Sequence, residues 1–228
     1  SIDNVPLLGR TTTFHTLLRR RAAAPPIVGP GAAALRPPRF RDKHTGMITT
    51  FRPIYGAYGG PVCSVLTLSS DSGEMRILLD CGWDASLPQT ALRALEAEAK
   101  KANIVLLSYG DLAHIGALPY ALRFLPPKAF VFSTFPTAKM GQMALYDALL
   151  SREDDGSIFT LAAVDAAVER IKPLKYEERL QLRFESKDPK ETIVSPRPAG
   201  RLLGGAIWHI RYDVEEIVYA SSFGWNKS

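Results

Sequence analysis

Cysteine and histidine are scarce in this 228-residue chain, which has two of the first and four of the second. Cys63 and Cys81 cannot build a disulfide framework, and with no C-x-x-C pair they form no metal knuckle. Each sits in or beside an apolar run, where a reduced, buried thiol is expected; spacing leaves a disulfide between them open. The histidines never occur as H-x-H or H-x-x-H, so local spacing yields no set of three nitrogen ligands. His15 and His44 lie near the N-terminus, His209 lies within "AIWHIRY", and His114 stands alone in "SYGDLAH". No stretch approaches the roughly 18 consecutive apolar residues of a membrane span, and no uninterrupted apolar core suggests a secretory signal. Gly200, Gly204 and Gly205 follow neither the phosphate-loop nor the dinucleotide pattern. Ser108 lacks the flanking glycines of a nucleophile elbow and a third orienting group, which argues against a Ser-His hydrolase. Trp83, Trp208 and Trp225 are dispersed, as expected of packing residues rather than a base-stacking platform. There is no internal repeat.

What is present is uneven. The formal charge of +5 is concentrated in residues 1–46, which hold eight basic residues against Asp3 and Asp42. Residues 47–228 are close to neutral. The stretch "RRRAAAPPIVGPGAAALRPPRFR" has no amphipathic period, so it is expected to bury too little apolar surface to offset its ordering entropy. A disordered basic extension over 1–46 is the resulting expectation. A nucleic-acid-touching tail and an organellar transit peptide share its composition.

From Met47 the texture is that of a folded domain. "MITTFRPI", "VCSVLTLSS" and "EMRILLDCGWD", separated by turn signals, predict an antiparallel meander. A helix is predicted over 86–102, and buried strands over "NIVLLS" and "KAFVFST" with a short helix between them. Residues 136–152 predict a helix with Met140, Met143, Ala144 and Leu150 inward. Leu161, Val164, Val168 and Ile171 mark the inner face of another, stopped by Pro173. Residues 178–221 return to strands. Strands, then alternating strand and helix, then strands again predict an α/β sandwich of two mixed sheets with helices on its outer faces. One domain over 47–228 is expected.

Polar loops follow the predicted strands at Asp80-Cys81-Gly82, Ser108 to His114, "PAGRLLGG" and Tyr219 to Phe223. Strand-end loops are where a scaffold displays chemistry. This set, in this order, resembles the metallo-β-lactamase fold of RNA- and DNA-cleaving hydrolases that carry a β-CASP insertion. The motifs "ILLDCGWD", "LLSYGDLAHIGALPYA", "KMGQMALYD", "FTLAAVDAAVERIKPLKY" and "PAGRLLGGAIWHI…EEIVYASSF" narrow the resemblance. They are similar to the large, catalytically silent β-CASP subunits of the cleavage and polyadenylation specificity factor. The resemblance covers residues 47–228 and implies an αββα sandwich, here only its N-terminal part, ending before the β-CASP domain.

Active members of the family hold two zinc ions with a strand-end Asp, an H-x-H-x-D-H loop, an A-G-H histidine and a bridging Asp. Imidazole nitrogen and carboxylate oxygen suit zinc, whose bound water then titrates near neutrality and attacks phosphorus. The resemblance implies that Tyr109 and Asp111 stand at two of the histidine positions and Ala113 at that of the loop aspartate. It likewise sets Arg201 at the A-G-H histidine and Ser222 at the bridging aspartate. Asp80 and His114 keep the family residue. No metal, cofactor or catalytic residue is therefore expected, and the site positions are read as degenerate. Two carboxylates converging without a cation repel, so Arg201 is expected to pair with Asp111 or Asp80 and fill the metal's space.

The resemblance implies a pseudoenzyme: a nuclear scaffold of pre-mRNA 3′-end processing that pairs with the related β-CASP nuclease subunit and other subunits of the factor, and contributes to RNA binding. Two alternatives stay open. One is an RNA hydrolase with a mononuclear site of Asp80, Asp111 and His114. The other is an RNA-binding module acting through the basic extension.

Overall fold

In a computed structural model, the structure describes residues 16–19, 39–41, 47–56, 60–70, 73–151, 158–182, 191–212 and 215–222. Apolar alternation and turn chemistry build the first half of the larger sheet. Strands β3 (Ile48–Gly56), β4 (Val62–Ser70) and β5 (Gly73–Leu79) pair antiparallel as the predicted meander. The sheet continues in parallel through β6 (Ile104–Leu106), β7 (Phe130–Thr134) and β8 (Ile171–Leu174). Leu79 lies opposite Leu106 in the β5–β6 register, so the ends of both strands open onto the same edge.

Five helices return the chain between the parallel strands: α1 (Gln89–Ala99), α2 (Leu112–Ile115), α3 (Leu118–Leu122), α4 (Phe135–Leu150) and α5 (Leu161–Arg170). Thr134 and Thr160 start α4 and α5, each hydroxyl accepting from the backbone N–H three residues on. All five pack on one face of the larger sheet, with Leu95, Ile115, Leu118, Leu145 and Val164 against Val65, Leu78, Val105 and Val131.

The opposite face packs on a second, antiparallel sheet of β9 (Leu180–Leu182), β10 (Thr192–Pro198), β11 (Ala206–Tyr212) and β12 (Glu215–Ala220). Strand β11 alternates strictly, turning Trp208, Ile210 and Tyr212 toward Phe51, Leu66, Ile77 and Phe132. The described residues thus form three layers of the expected sandwich, helix on sheet on sheet. They place no helix on the outer face of the smaller sheet.

Several expectations need correction. The extension over 1–46 is not uniformly outside the fold: β1 (Thr16–Arg19) pairs with β12 and β2 (Arg39–Arg41) with β3, one at the edge of each sheet. An edge offers unpaired backbone groups that any extended segment can satisfy, amphipathic or not. The rest of 1–46, with His15 and His44, lies outside the described residues, as do 183–190.

Helix α4 presents the wrong face for the prediction. Met140, Met143 and Leu150 are exposed, and Thr137, Ala138, Gly141, Leu145 and Ala148 are buried. A Cβ on Gly141 would come within 2.7 Å of Ile115 Cδ1, so close approach to α2 selects the small-residue face over the larger side chains. Helix α5 buries Val164 and Ala167 but exposes Leu161. Ile171 belongs not to that helix but to β8, which holds Pro173 at the sheet edge, where a missing N–H costs no ladder bond.

Trp208 is fully buried between the sheets. Trp208→Ala is expected to lower unfolding free energy by about 3–5 kcal/mol, while Leu203→Ala, 77% exposed, should change it by less than about 0.5 kcal/mol. Urea melts of the two variants check this.

Candidate functional site, a filled pocket at the strand ends

Four segments meet where β5, β6, β7 and β12 end. Asp80 follows β5 with φ +59°, left-handed backbone that few non-glycine residues adopt. The conformation turns its carboxylate inward, where Oδ1 accepts from Ser108 N–H at 2.7 Å and Oδ2 from Tyr219 O–H at 2.8 Å. Asp80 is fully buried, and burial pushes its carboxyl above the usual range against the pull of His114 and these donors.

The two ligand-type loops are stitched by backbone bonds. Cys81 N–H donates to His114 O, Trp83 N–H to Leu112 O and Ala117 N–H to Cys81 O. Gly82 permits this, since a Cβ there would lie 1.8 Å from Ala113 O. Cys63 and Cys81 are buried and reduced. Burial, with Cys81 and Asp80 beside it, pushes the Cys63 thiol up.

His114 sits on α2 rather than in a loop, one turn after Asp111, and its Nδ1 meets Asp111 Oδ1 at 2.5 Å. Burial works against both charges, but the bond and the neighbouring charges prevail. The Asp111 carboxyl is held below its usual range, helped by His114 and then Arg201. The His114 imidazole is held above its own, helped by Asp111 and Asp80. His114 Nε2 has no hydrogen-bond partner among the described residues. Ala113, at the loop-aspartate position, brings only a methyl group.

Tyr109 fills the middle. It is fully buried, its O–H donates to Ser222 O at 2.5 Å, and its ring lies 4.9 Å from the His114 ring. Gly205 gives the ring room, because a Cβ there would sit 2.3 Å from Tyr109 Cε1. Thr134 and Thr137 both donate to Gly204 O, at 2.6 and 2.8 Å, pinning the "PAGRLLGG" segment beside it.

The expected pairing of Arg201 with Asp111 or Asp80 does not form. Arg201 stays largely exposed, its guanidinium 5.6 Å from the Tyr109 ring centroid and its Nη1 donating to Ser222 Oγ at 2.8 Å. The carboxylates found partners nearer to hand, His114 for one and Tyr219 with Ser108 N–H for the other, so nothing drew the cation inward. Tyr219 was not singled out from sequence. Its signal is the inward phase of Ile217 and Tyr219 on β12, because a buried tyrosine hydroxyl needs a partner.

Asp80, Tyr109, Asp111, His114, Arg201 and Ser222 are thus brought together, with Ala113 beside them. Among the described residues no group of three His, Cys, Asp or Glu side chains is placed to hold a metal ion. A dinuclear zinc site does not fit this donor set: Asp111 and His114 bind each other, both Asp80 oxygens are taken, and the side chains that complete the pocket are a phenol, a guanidinium and a serine hydroxyl. No helix among the described residues is long and apolar enough to cross a membrane.

Residues 67–228 match the metallo-β-lactamase superfamily domain, and the chain belongs to that superfamily. Within it, the chain is 38% identical over 178 residues to cleavage and polyadenylation specificity factor subunit 2 of Oryza sativa subsp. japonica, covering 77% of this chain and 23% of that protein. It is 38% identical over 171 residues to the probable subunit 2 of Drosophila melanogaster, covering 73% and 22%. Cleavage factor two protein 2 of Schizosaccharomyces pombe is 33% identical over 155 residues, covering 68% and 18%. The resemblance read from the motifs is thus shown at the level of the family, and the chain spans less than a quarter of the length of these relatives. Among solved structures, MEM-A1, a subclass B3 metallo-β-lactamase from a soil metagenome library, is 20% identical with a TM-score of 0.45, covering 75% of this chain and 59% of that one.

Two outcomes test the pocket. The raised His114 pKa adds stability that is complete below its ordinary 6.5 and is lost as pH rises through the folded value. The depressed Asp111 pKa adds stability that is complete above 3.8 and is lost as pH falls through the folded value. The pair therefore contributes most between those values. Asp111→Asn should lose most melting temperature near pH 5.5 and progressively less as pH rises through the folded His114 value, where wild type itself loses the imidazolium. Gly205→Ala forces Tyr109 aside and should cost about 1–3 kcal/mol, read by urea melts, with a changed near-ultraviolet tyrosine signal.

Proposed function

We propose that this chain is the lactamase-like part of a non-catalytic subunit of the nuclear machinery that cleaves and polyadenylates pre-mRNA 3′ ends. Its role is association: it pairs with the related β-CASP nuclease subunit and with other subunits of the factor. The subunit 2 relatives support the process, since they bear the factor's name. The observation that carries the non-catalytic reading is Tyr109, buried in the former ligand loop and bonded to Ser222 at the bridging position. A phenol hydrogen-bonded to a carbonyl, with a guanidinium beside its ring, fills that space with packing and hydrogen bonds that need no cation.

One observation favours a second reading. His114 Nε2 is buried without a partner, as a nitrogen awaiting a single ion shared with Asp80 and Asp111 would be. Against it, both Asp80 oxygens already accept hydrogen bonds and Asp111 is turned to His114 Nδ1.

Two measurements test the proposal. An ion present at a hundred times its Kd would add about 2.7 kcal/mol, which is about 5–10 °C in a chain of this size. Zinc and EDTA are each expected to leave the melting temperature unchanged, and elemental analysis is expected to find no stoichiometric zinc. Co-expression with a β-CASP nuclease subunit is expected to give a complex that survives gel filtration. Stoichiometric zinc with RNA cleavage lost in His114→Ala would establish the mononuclear hydrolase instead.

A further inference from the structure

Positive charge gathers at the end of the larger sheet opposite Asp80. Three segments converge there: the α1–β6 turn, the loop before β7 and the α5–β8 junction, each leading into the N-terminal end of a parallel strand. Between them lies a concavity of about 610 Å³ that carries Lys100, Lys101, Lys128, Arg170 and Lys172 against Glu169. The four lysines are exposed, and Ala102 and Ala129 are buried at its base.

These cations differ in what they can still do. Arg170 is committed to structure, its Nη2 donating to the carbonyls of Pro126, Pro127 and Ala129 and so closing the loop before β7. Lys172 lies 4.7 Å over the Phe130 ring, and Lys100, paired with Glu96, lies 5.3 Å over Phe124. Lys101 forms no ion pair with any described residue. Beyond Lys100 the pattern continues, with Arg123 within 6 Å of the Tyr120 and Phe124 rings. The result is a track of cations and aromatic rings longer than one anion requires.

That arrangement selects among anions. The one guanidinium lining the concavity, whose fork would suit a carboxylate, is occupied by carbonyls. The exposed lysines of the rim are ammonium point charges on flexible stems, which suit phosphate oxygens spaced along a backbone. Like charges this close also repel unless a polyanion or its counterions neutralise them.

We propose that this cleft binds the phosphate backbone of single-stranded RNA, on the face of the domain remote from the filled pocket. That the polyanion is RNA rests on the 3′-end-processing reading above; that it is a polyphosphate rests on the cleft itself. No residue lining the cleft belongs to the basic N-terminal extension.

The test is fluorescence anisotropy of a labelled single-stranded RNA with the 228-residue chain, titrated at 50 to 200 mM salt. The variants are Lys101→Gln/Lys128→Gln/Lys172→Gln for the cleft and Arg10→Gln/Arg20→Gln/Arg21→Gln for the extension. With a slope of about 0.7 per phosphate contact on single strands, the cleft variant should lower the salt slope by about 2 and weaken binding at least about tenfold. It should keep a cooperative melt and the wild-type far-ultraviolet circular dichroism, because all three lysines are exposed. The extension variant should keep the part of the slope that the cleft variant loses. The proposal is overturned if wild type does not bind, if the cleft variant binds with the wild-type slope, or if the extension variant alone abolishes binding. It is also overturned if polyglutamate competes as well as unlabelled RNA, which would make the ligand an acidic peptide. Assembly with the nuclease subunit is scored separately, so failure here leaves that association standing, and failure there leaves this binding measurable.

Discussion

Both sheets depend on one buried carboxylate. Asp80 ends β5 of the larger sheet, yet its two oxygens are held by the N–H of Ser108 after β6 and by Tyr219 on β12 of the smaller sheet. Burying a carboxyl group this deeply is costly unless donors surround it, and the two segments that meet it here supply them. Ser108 also returns its carbonyl to Ala206 N–H at the start of β11. The strained backbone at Asp80 is stable only because these bonds over-determine it. Both oxygens of this carboxyl group are thus committed to holding the two sheets together.

Around that anchor the pocket is organised by shape and hydrogen bonding more than by charge pairing. Tyr109 occupies its centre, Gly205 yields the space, and the two threonines at the start of α4 fix the neighbouring loop through Gly204. The Asp111–His114 couple is closed on itself, which leaves Arg201 at the rim. Hydrophobic cores on both faces of the larger sheet hold these parts in register, and the chemistry of the loops varies within that frame.

Much of this was legible in the residues. Period-two alternation and turn signals located β3, β4, β5, β11 and β12, and short continuous apolar runs marked β6 and β7. What failed, failed for tertiary reasons. The buried face of α4 was misjudged because apolar size pointed to Met140 and Met143, whereas a close helix crossing demanded Gly141 and alanines. Strand β8 was hidden by Pro173, which is harmless at an edge. The strands in the basic extension carry no pattern at all, since edge pairing asks only for free backbone groups. The loop motifs point to residues that the structure brings together at the strand ends, but not to the partner of Arg201, because partner choice depends on distances that a sequence does not contain.

The fit between Tyr109 and Gly205 has a consequence for substitution at the pocket centre. A histidine placed at position 109 would forfeit the bond to Ser222 and leave unfilled volume beside Gly205, whose missing Cβ makes room for the larger ring. Replacing Tyr109 alone by a smaller metal-ligating side chain would thus weaken the fold unless an ion compensated. Packing of this kind resists single substitutions at the pocket centre, whatever side chain is put there.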